Sequence, residues 1–286
     1  MSAGRAESWP APAKLNLFLH VVGRRADGYH ELQTLFQLID LCDELSFTPT
    51  ADGVIERTEG PPGVPAAEDL SVRAARMLQQ SAGVRSGVQI RLRKRIPLGG
   101  GLGGGSSDAA TTLLALNELW GCRLSLPELA ALARPLGADV PVFVQGSSAW
   151  AEGVGERLTR VTLPEAWYVI VHPGVAVSTA RIFHSPELTR NSPLITIRAF
   201  FESGGHNDCE PVVRAQFPEV AEALEWLGRF APATLTGTGS CVFASCASAI
   251  EAERLAARVP DRWRSYVARG LNTSPVHGRL GGGRRG

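Results

Sequence analysis

No stretch of this sequence comes near the roughly 20 consecutive apolar residues that a membrane-spanning helix requires. Its apolar runs, such as residues 167–171 and 142–144, are a fraction of that length. The first thirteen residues hold no apolar h-region and are broken by Pro10 and Pro12, so they predict a short ragged tail and not a secretory signal. Cysteine is scarce and poorly placed for pairing. The five residues Cys42, Cys122, Cys209, Cys241 and Cys246 are odd in number, scattered and free of any CxxC pair. That argues against a disulfide framework and a zinc knuckle, and the thiols read as small core residues of a reduced, cytoplasmic protein. A surplus of either charge is also missing: 29 Lys plus Arg against 28 Asp plus Glu leave a net charge of +1. Such a chain has no global field to hold a polyanion or an anionic membrane, so neither nucleic acid nor a membrane is expected as partner. What is present is an ordinary globular composition, 44% hydrophobic and 20% charged over 286 residues, enough for two cores and without internal repeats.

Periodicity divides the chain into strands and helices. From Ala13 the residues alternate, with Ala13, Leu15, Leu17 and Leu19 on one face and Lys14, Asn16, Phe18 and His20 on the other. This predicts a strand with one chemically mixed face. A turn-rich stretch at 23–32 leads to two expected strands, 32–41 and 43–49. Asp52 to Asp69, rich in Gly, Pro and charge, predicts a surface loop, and residues 71–83 a helix stopped at Gly83. Beyond about Glu156 a strand at 167–174, a loop with Ser178 and Thr179, helices around 197–203 and 218–230, a turn at 235–240 and a strand–helix–strand close follow. The pattern predicts an α+β protein of two domains, 1–155 and 156–286, with a loose tail after Ser274.

Residues 87–121 are the most informative and read as strand, glycine loop, helix. Gln89, Arg91, Arg93 and Arg95 give the strand a basic face, whose plain reading is a solvated surface. Ser106, Ser107 and Asp108 carry N-cap chemistry for a helix over 109–120. A second helix is expected after the Ser125 cap, with Pro127 in its first turn, and then a loop over 137–156 holding a short apolar strand. Six glycines lie within Gly99–Gly105, broken only by Leu102. A plain turn needs one or two, so a run this costly in chain entropy points to close approach of a ligand to the backbone. Successive N–H groups at the mouth of a helix form an anion cradle that the helix dipole reinforces. Pro97, Leu98, Gly99, Gly100, Gly101, Leu102, Gly103, Gly104, Gly105, Ser106 and Ser107 are therefore candidate phosphate-binding residues, with a structural hinge as the plain alternative. Asp108 would favour the dipole but repel phosphate, and the sequence leaves it free to point away, to cap, or to hold a cation.

Other glycine loops fit less well. A Walker A loop lacks its lysine, the GxGxxG match at Gly99, Gly101 and Gly104 lacks the acidic residue about 20 positions on, and the signatures of protein kinases, GxSxG hydrolases and HExxH proteases are absent.

Three segments together resemble the GHMP kinase superfamily: PAKLNLFL at Pro12–Leu19, PLGGGLGGGSSDAATTL from Pro97, and LTGTGSCVFA at Leu235–Ala244. GYHELQTLF from Gly28, GADVPVFVQG from Gly137 and NDCEP from Asn207 are similar to the branch of that family that phosphorylates a cytidine-diphosphate methylerythritol. The resemblance implies two α+β domains, an N-terminal ribosomal-protein-like one and a C-terminal ferredoxin-like one, with the active site in the cleft between them. It implies ATP with Mg²⁺, transfer to the 2-hydroxyl of the methylerythritol moiety, and a monomer or homodimer. It assigns Asp139 as the base and Lys14 beside it. The cytosine ring is expected between Tyr29 and Phe183, with His30 at its polar edge and Asn16 and Thr179 as further substrate contacts; no metal ligands are assigned. The chain departs from the family at Asp69, where Asn is usual, which places a nucleotide contact there in question. Open alternatives are a GHMP kinase for another alcohol, such as homoserine or mevalonate, and a non-catalytic nucleotide- or RNA-binding protein.

Overall fold

A computed structural model describes residues 8–282. The first half runs β1 (Ser8–Arg24), β2 (His30–Thr50), β3 (Ile55–Glu59), α1 (Leu70–Ala82), β4 (Gly87–Arg93), α2 (Gly104–Leu119), α3 (Leu126–Ala133), α4 (Val140–Gln145), β5 (Ala149–Gly153) and β6 (Arg157–Arg160). The second half runs β7 (Trp167–His172), α5 (Thr179–His184), α6 (Ile197–Ser203), α7 (Glu210–Gln216), α8 (Pro218–Gly228), β8 (Ala233–Leu235), β9 (Val242–Cys246), α9 (Ala249–Ala256), β10 (Arg264–Leu271) and α10 (Pro275–Gly282).

The strands join in the order β3-β4-β2-β10-β7-β9-β8, with β1 and β5 also on β2 and β6 on β5. Helices α1 to α4 bury Leu78, Leu113 and Val140 against the apolar face of β1, β2 and β4. Helices α5, α7, α8 and α9 do the same over β7 and β9, with Ile182, Leu224 and Leu255. A third cluster joins the halves: Ala13 and Leu15 of β1, Ile39 of β2, Ile96 and Leu102 of the glycine segment, and Tyr168 and Phe243 of the second half. The α+β architecture read from the sequence is therefore present, and both faces of β1 are buried, including Lys14, Asn16, Phe18 and His20.

Several elements differ from the sequence reading. The expected N-terminal tail is strand from Ser8 onward; residues 1–7 lie outside the described chain. Pro10 and Pro12 are two residues apart, so they remove donors from one edge only, and β1 has a single strand partner, β2. The two strands expected at 32–41 and 43–49 are one strand, β2, because nothing between Leu41 and Asp43 supplies a turn. Inside the expected loop at 52–69, Ile55–Glu59 pairs in parallel with β4. Helix α2 starts at Gly104 with Gly103 as its cap, so Ser106, Ser107 and Asp108 fall inside its first turns and not before them. The expected loop at 137–156 does hold a short strand, β5, but it also contains the helix α4 over Val140–Gln145, with Pro141 in its first turn, packed on α2 and α3. The expected loose tail holds α10, whose Val276 is buried in the first-half core; residues 283–286 lie outside the described chain. Helices α1 and α3, with Gly83 and Ser125 as their caps, form as the sequence indicates.

Candidate active site

The glycine loop is pinned from below and from the side. Leu102, the one apolar residue in the run, is 1% exposed and plugs the cluster shared by the two halves. Its carbonyl accepts the Lys14 N–H at 3.0 Å. On the other flank, Ser240 N–H donates to the Gly99 carbonyl at 3.2 Å and Cys241 N–H to that of Gly100 at 3.1 Å. Two glycines are required by both space and conformation. A Cβ at Gly101 (φ 75°) would stand 2.2 Å from the Thr236 carbonyl, and one at Gly103 (φ 71°) 2.9 Å from the Phe143 ring. Truncating the anchor should therefore loosen the cradle. Leu102→Ala is expected to cost about 2–5 kcal/mol of stability, read by denaturant unfolding, and to weaken ATP binding in parallel.

The turn at Thr236–Ser240 is accordingly no free hairpin but the wall against which the glycine loop rests. Asn207 holds it by donating from one amide nitrogen to the carbonyls of Leu235 and Gly237, both at 2.8 Å. Thr236 Oγ1 accepts the Asn16 N–H at 3.0 Å, and Thr238 meets Thr179 hydroxyl to hydroxyl at 2.9 Å. Asn207 was visible in the sequence only as part of a motif; its work is long-range and leaves no local pattern.

Lys14 and Asp139 come together across the cleft. Lys14 Nζ, 3% exposed, lies 3.5 Å from Asp139 Oδ2, donates to the Gly101 carbonyl at 2.9 Å, and is bonded to Asn16 Oδ1. Its three hydrogens thus have three partners, one of them in the glycine loop. Asn16 is fixed in turn by donating to Thr34 Oγ1 at 2.9 Å. Asp139 occupies the N-cap position of α4 without a side-chain bond to its N–H groups, and remains 33% exposed at the cleft. An ammonium beside backbone amides at the mouth of a helix, with a carboxylate within reach of it, is a set of groups suited to phosphoryl transfer.

Lys94 is a second cation at the cleft, set apart in the sequence only as one residue of a basic strand. It is held by Asp43 of β2 and, at 2.7 Å, by Asp108 of α2. Asp108 is therefore turned toward Lys94, whose ammonium stands beside Gly104. Burial pushes its carboxyl well above the ordinary carboxylate range, with Lys94 opposing that shift and Asp43 adding to it. Burial pulls the Lys94 ammonium down, but the two carboxylates outweigh it and hold it above its usual value. The other basic side chains of that segment, Arg91, Arg93 and Arg95, are more than half exposed and face Glu59 and Glu44, as a solvated strand face would. At Asp69 both carboxylate oxygens are taken: one caps α1 through the Ser71 N–H at 2.8 Å, the other accepts from Arg57 at 2.5 Å. An ionised carboxylate so engaged has no donor to offer a nucleotide.

The cleft encloses about 400 Å³. Lys14, Asn16, Asp139, Thr179 and Phe183 line it together with Pro97–Ser106, while Ser107 turns inward and is fully buried. Tyr29, 65% exposed, lines an adjoining cavity of about 320 Å³ that shares Ala138 and Val154 with the cleft. His30 lines neither; its ring stacks on Phe183 with centroids 5.0 Å apart.

Comparison with known proteins matches both halves of the chain. The family model for the GHMP kinases N terminal domain matches residues 69–147 and that for GHMP kinases C terminal matches 187–265. The chain is 56% identical to the 4-diphosphocytidyl-2-C-methyl-D-erythritol kinase of Chromohalobacter salexigens, over 96% of this chain and 94% of that one. It is also 56% identical to the enzyme of the same name from Nitrosococcus oceani, over 93% and 95%. The chain belongs to the 4-diphosphocytidyl-2-C-methyl-D-erythritol kinase family. A crystal structure of 4-(cytidine 5'-diphospho)-2C-methyl-D-erythritol kinase superposes with a TM-score of 0.81 at 38% identity, covering 92% of this chain and 99% of that one. As a member of this kinase family the chain is an ATP-dependent small-molecule kinase with the two-part GHMP fold. None of its described helices is long and apolar enough to cross a membrane.

Proposed function

We propose that the chain transfers the γ-phosphoryl group of ATP to the 2-hydroxyl of 4-diphosphocytidyl-2-C-methyl-D-erythritol in isoprenoid precursor synthesis. What carries this reading is the 3.5 Å Lys14–Asp139 pair set beside Gly101 in one cleft. The N–H groups at the start of α2 cradle the phosphates, the dipole of this sixteen-residue helix adding positive potential. Asp139 accepts the proton of the acceptor hydroxyl as its oxygen bonds to the γ-phosphorus and the bond to the β-bridging oxygen breaks, releasing ADP. Lys14 balances the charge that spreads over the transferring phosphoryl oxygens. Mg²⁺ suits the oxygen donors at the cleft, the Asp139 carboxylate and the Ser106 hydroxyl, because it takes one or two protein oxygens and fills its shell with phosphates and water. When bound it neutralises phosphate charge.

Phe183 and Tyr29 form the cytosine end, with Asn16 and Thr179 toward the polyol and His30 at the base edge. In support, Tyr29 lines the cavity that shares Ala138 and Val154 with the cleft, and Phe183 lines the cleft. Stacking is worth about 1–3 kcal/mol per base contact, so Tyr29→Ala should raise the KM for the cytidine substrate about tenfold or more with a smaller effect on kcat. The reverse pattern in steady-state kinetics would remove the stacking role. We take the two domains to divide after Gly155 and the protein to act in the cytoplasm as a monomer or homodimer, without nucleic acid or membrane partners. A phosphotransfer assay with the cytidine-diphosphate polyol, homoserine and mevalonate in parallel tests the reading. Efficient turnover is expected only with the first; comparable turnover of either other alcohol would replace it, and salt-sensitive RNA retention without ATP turnover would replace the enzyme.

A further inference from the structure

Arg190, in the segment between α5 and α6, is the most heavily engaged guanidinium near the substrate end of the cleft. Its Nη1 donates to the Leu188 carbonyl at 3.0 Å, and its Nη2 to those of Phe183 at 3.0 Å and Ser185 at 2.7 Å. Its Nε donates to His30 Nε2 at 3.1 Å. The last bond has a chemical consequence. A guanidinium has donors only and does not lose its proton, so His30 Nε2 must be an acceptor. An imidazole accepting at Nε2 is neutral and carries its proton on Nδ1. No group among the described residues pairs with that Nδ1. The ring is also fixed in position, stacked on Phe183 with planes 28° apart.

We propose that Arg190 is a positioning residue for base recognition: it locks His30 as the Nδ1–H tautomer beside Phe183, so that the ring offers a hydrogen-bond donor to an acceptor atom of the substrate's pyrimidine. This rests on the reading of Phe183 as a wall of the cytosine site. A cytosine ring has such acceptors in its carbonyl oxygen and unprotonated ring nitrogen. Protonation of His30 would turn Nε2 into a second donor facing Arg190 and break the arrangement. The surroundings resist that protonation: burial lowers the His30 pKa below 6.5, and Arg190, Arg24 of β1 and His184 of α5 lower it further. Phe183, the other group packed on the ring, does not titrate.

Two measurements on the full chain test the inference. In protein labelled with ¹⁵N-histidine, His30 is expected to show an unprotonated Nε2 and a protonated Nδ1 at neutral pH. Arg190→Gln is expected to mix the tautomers and raise the His30 pKa. In kinetics, Arg190→Gln should raise the KM for the cytidine-diphosphate substrate about tenfold, the worth of a well-placed hydrogen bond, with KM for ATP unchanged, and should move the acid limb of kcat/KM upward in pH. His30→Asn, whose amide nitrogen falls near Nδ1, should keep more of kcat/KM than His30→Gln. A wild-type His30 protonated at Nε2, or an Arg190→Gln variant that loses melting temperature while its substrate KM and pH profile stay put, overturns the proposal. The resonances do not depend on turnover, so a failed phosphotransfer assay with the expected tautomer present counts against the assigned reaction and not against the Arg190–His30 lock.

Discussion

Asp139→Asn is expected to lower kcat by about 10²- to 10⁴-fold, the range typical of a lost general base, while the protein folds and binds ATP as before. The geometry explains why the two effects separate. Asn preserves the shape of the side chain at the start of α4 and makes no demand on the fold, since the Asp139 carboxylate caps no α4 N–H group. Lys14 keeps its bonds to Asn16 and to the Gly101 carbonyl, so the phosphate side of the cleft stays organised. What is expected to disappear is the proposed acceptor for the hydroxyl proton. Steady-state kinetics combined with calorimetric titration of an ATP analogue checks both halves. Near-normal turnover would remove Asp139 from the role of base.

The largest loss of stability is expected at Asp43, on the opposite side of the glycine loop. This fully buried carboxylate accepts the N–H groups of Arg95 at 2.6 Å and Ile96 at 2.9 Å and also binds Lys94. Asp43→Ala would strand two backbone donors and leave the largely buried Lys94 with Asp108 alone. Breaking a buried ion pair typically costs about 3–5 kcal/mol, which for a chain of this size is a fall of roughly 10 °C in melting temperature. A shift of one or two degrees by calorimetry would mean that water replaces the lost acceptor.

The parts of the molecule legible in the sequence are those written locally. The caps at Ser125 and Gly83 and the alternation in β1 depend on neighbours a few residues away, and they appear where expected. The glycine run was legible because six residues without side chains have few other uses. Failures occur where distant packing outweighs local preference. Three of the residues 140–144 are β-branched valines in a segment read as loop with a short strand, yet burial against α2 and α3 makes them helical. Pro10 and Pro12 suggested a tail because an unpaired strand edge cannot be foreseen from composition. In the site, Lys14 and Asp139 acquire meaning only when 125 residues of chain fold back to bring them together. Asn207 and Lys94 were invisible as functional groups because their partners, Gly237 and Asp108, belong to other elements.

The last described helix closes on α4, one of the two six-residue helices of the site. Ser274 N–H donates to the Gly146 carbonyl at 2.8 Å, and His277 Nε2 bonds the Val144 carbonyl at 3.0 Å. These contacts clamp the C-terminal end of α4, whose other end carries Asp139, and Gly146 is glycine because a Cβ there would sit 2.0 Å from the His277 ring. Proteins are made from the N-terminus at about 5–20 residues per second, and early domains generally fold as they emerge. Here the first-half core lacks Val276 and the α4 clamp until the final stretch has left the ribosome. The seat of α4, which also packs on α2 and α3, is thereby completed only when this late-made segment has docked.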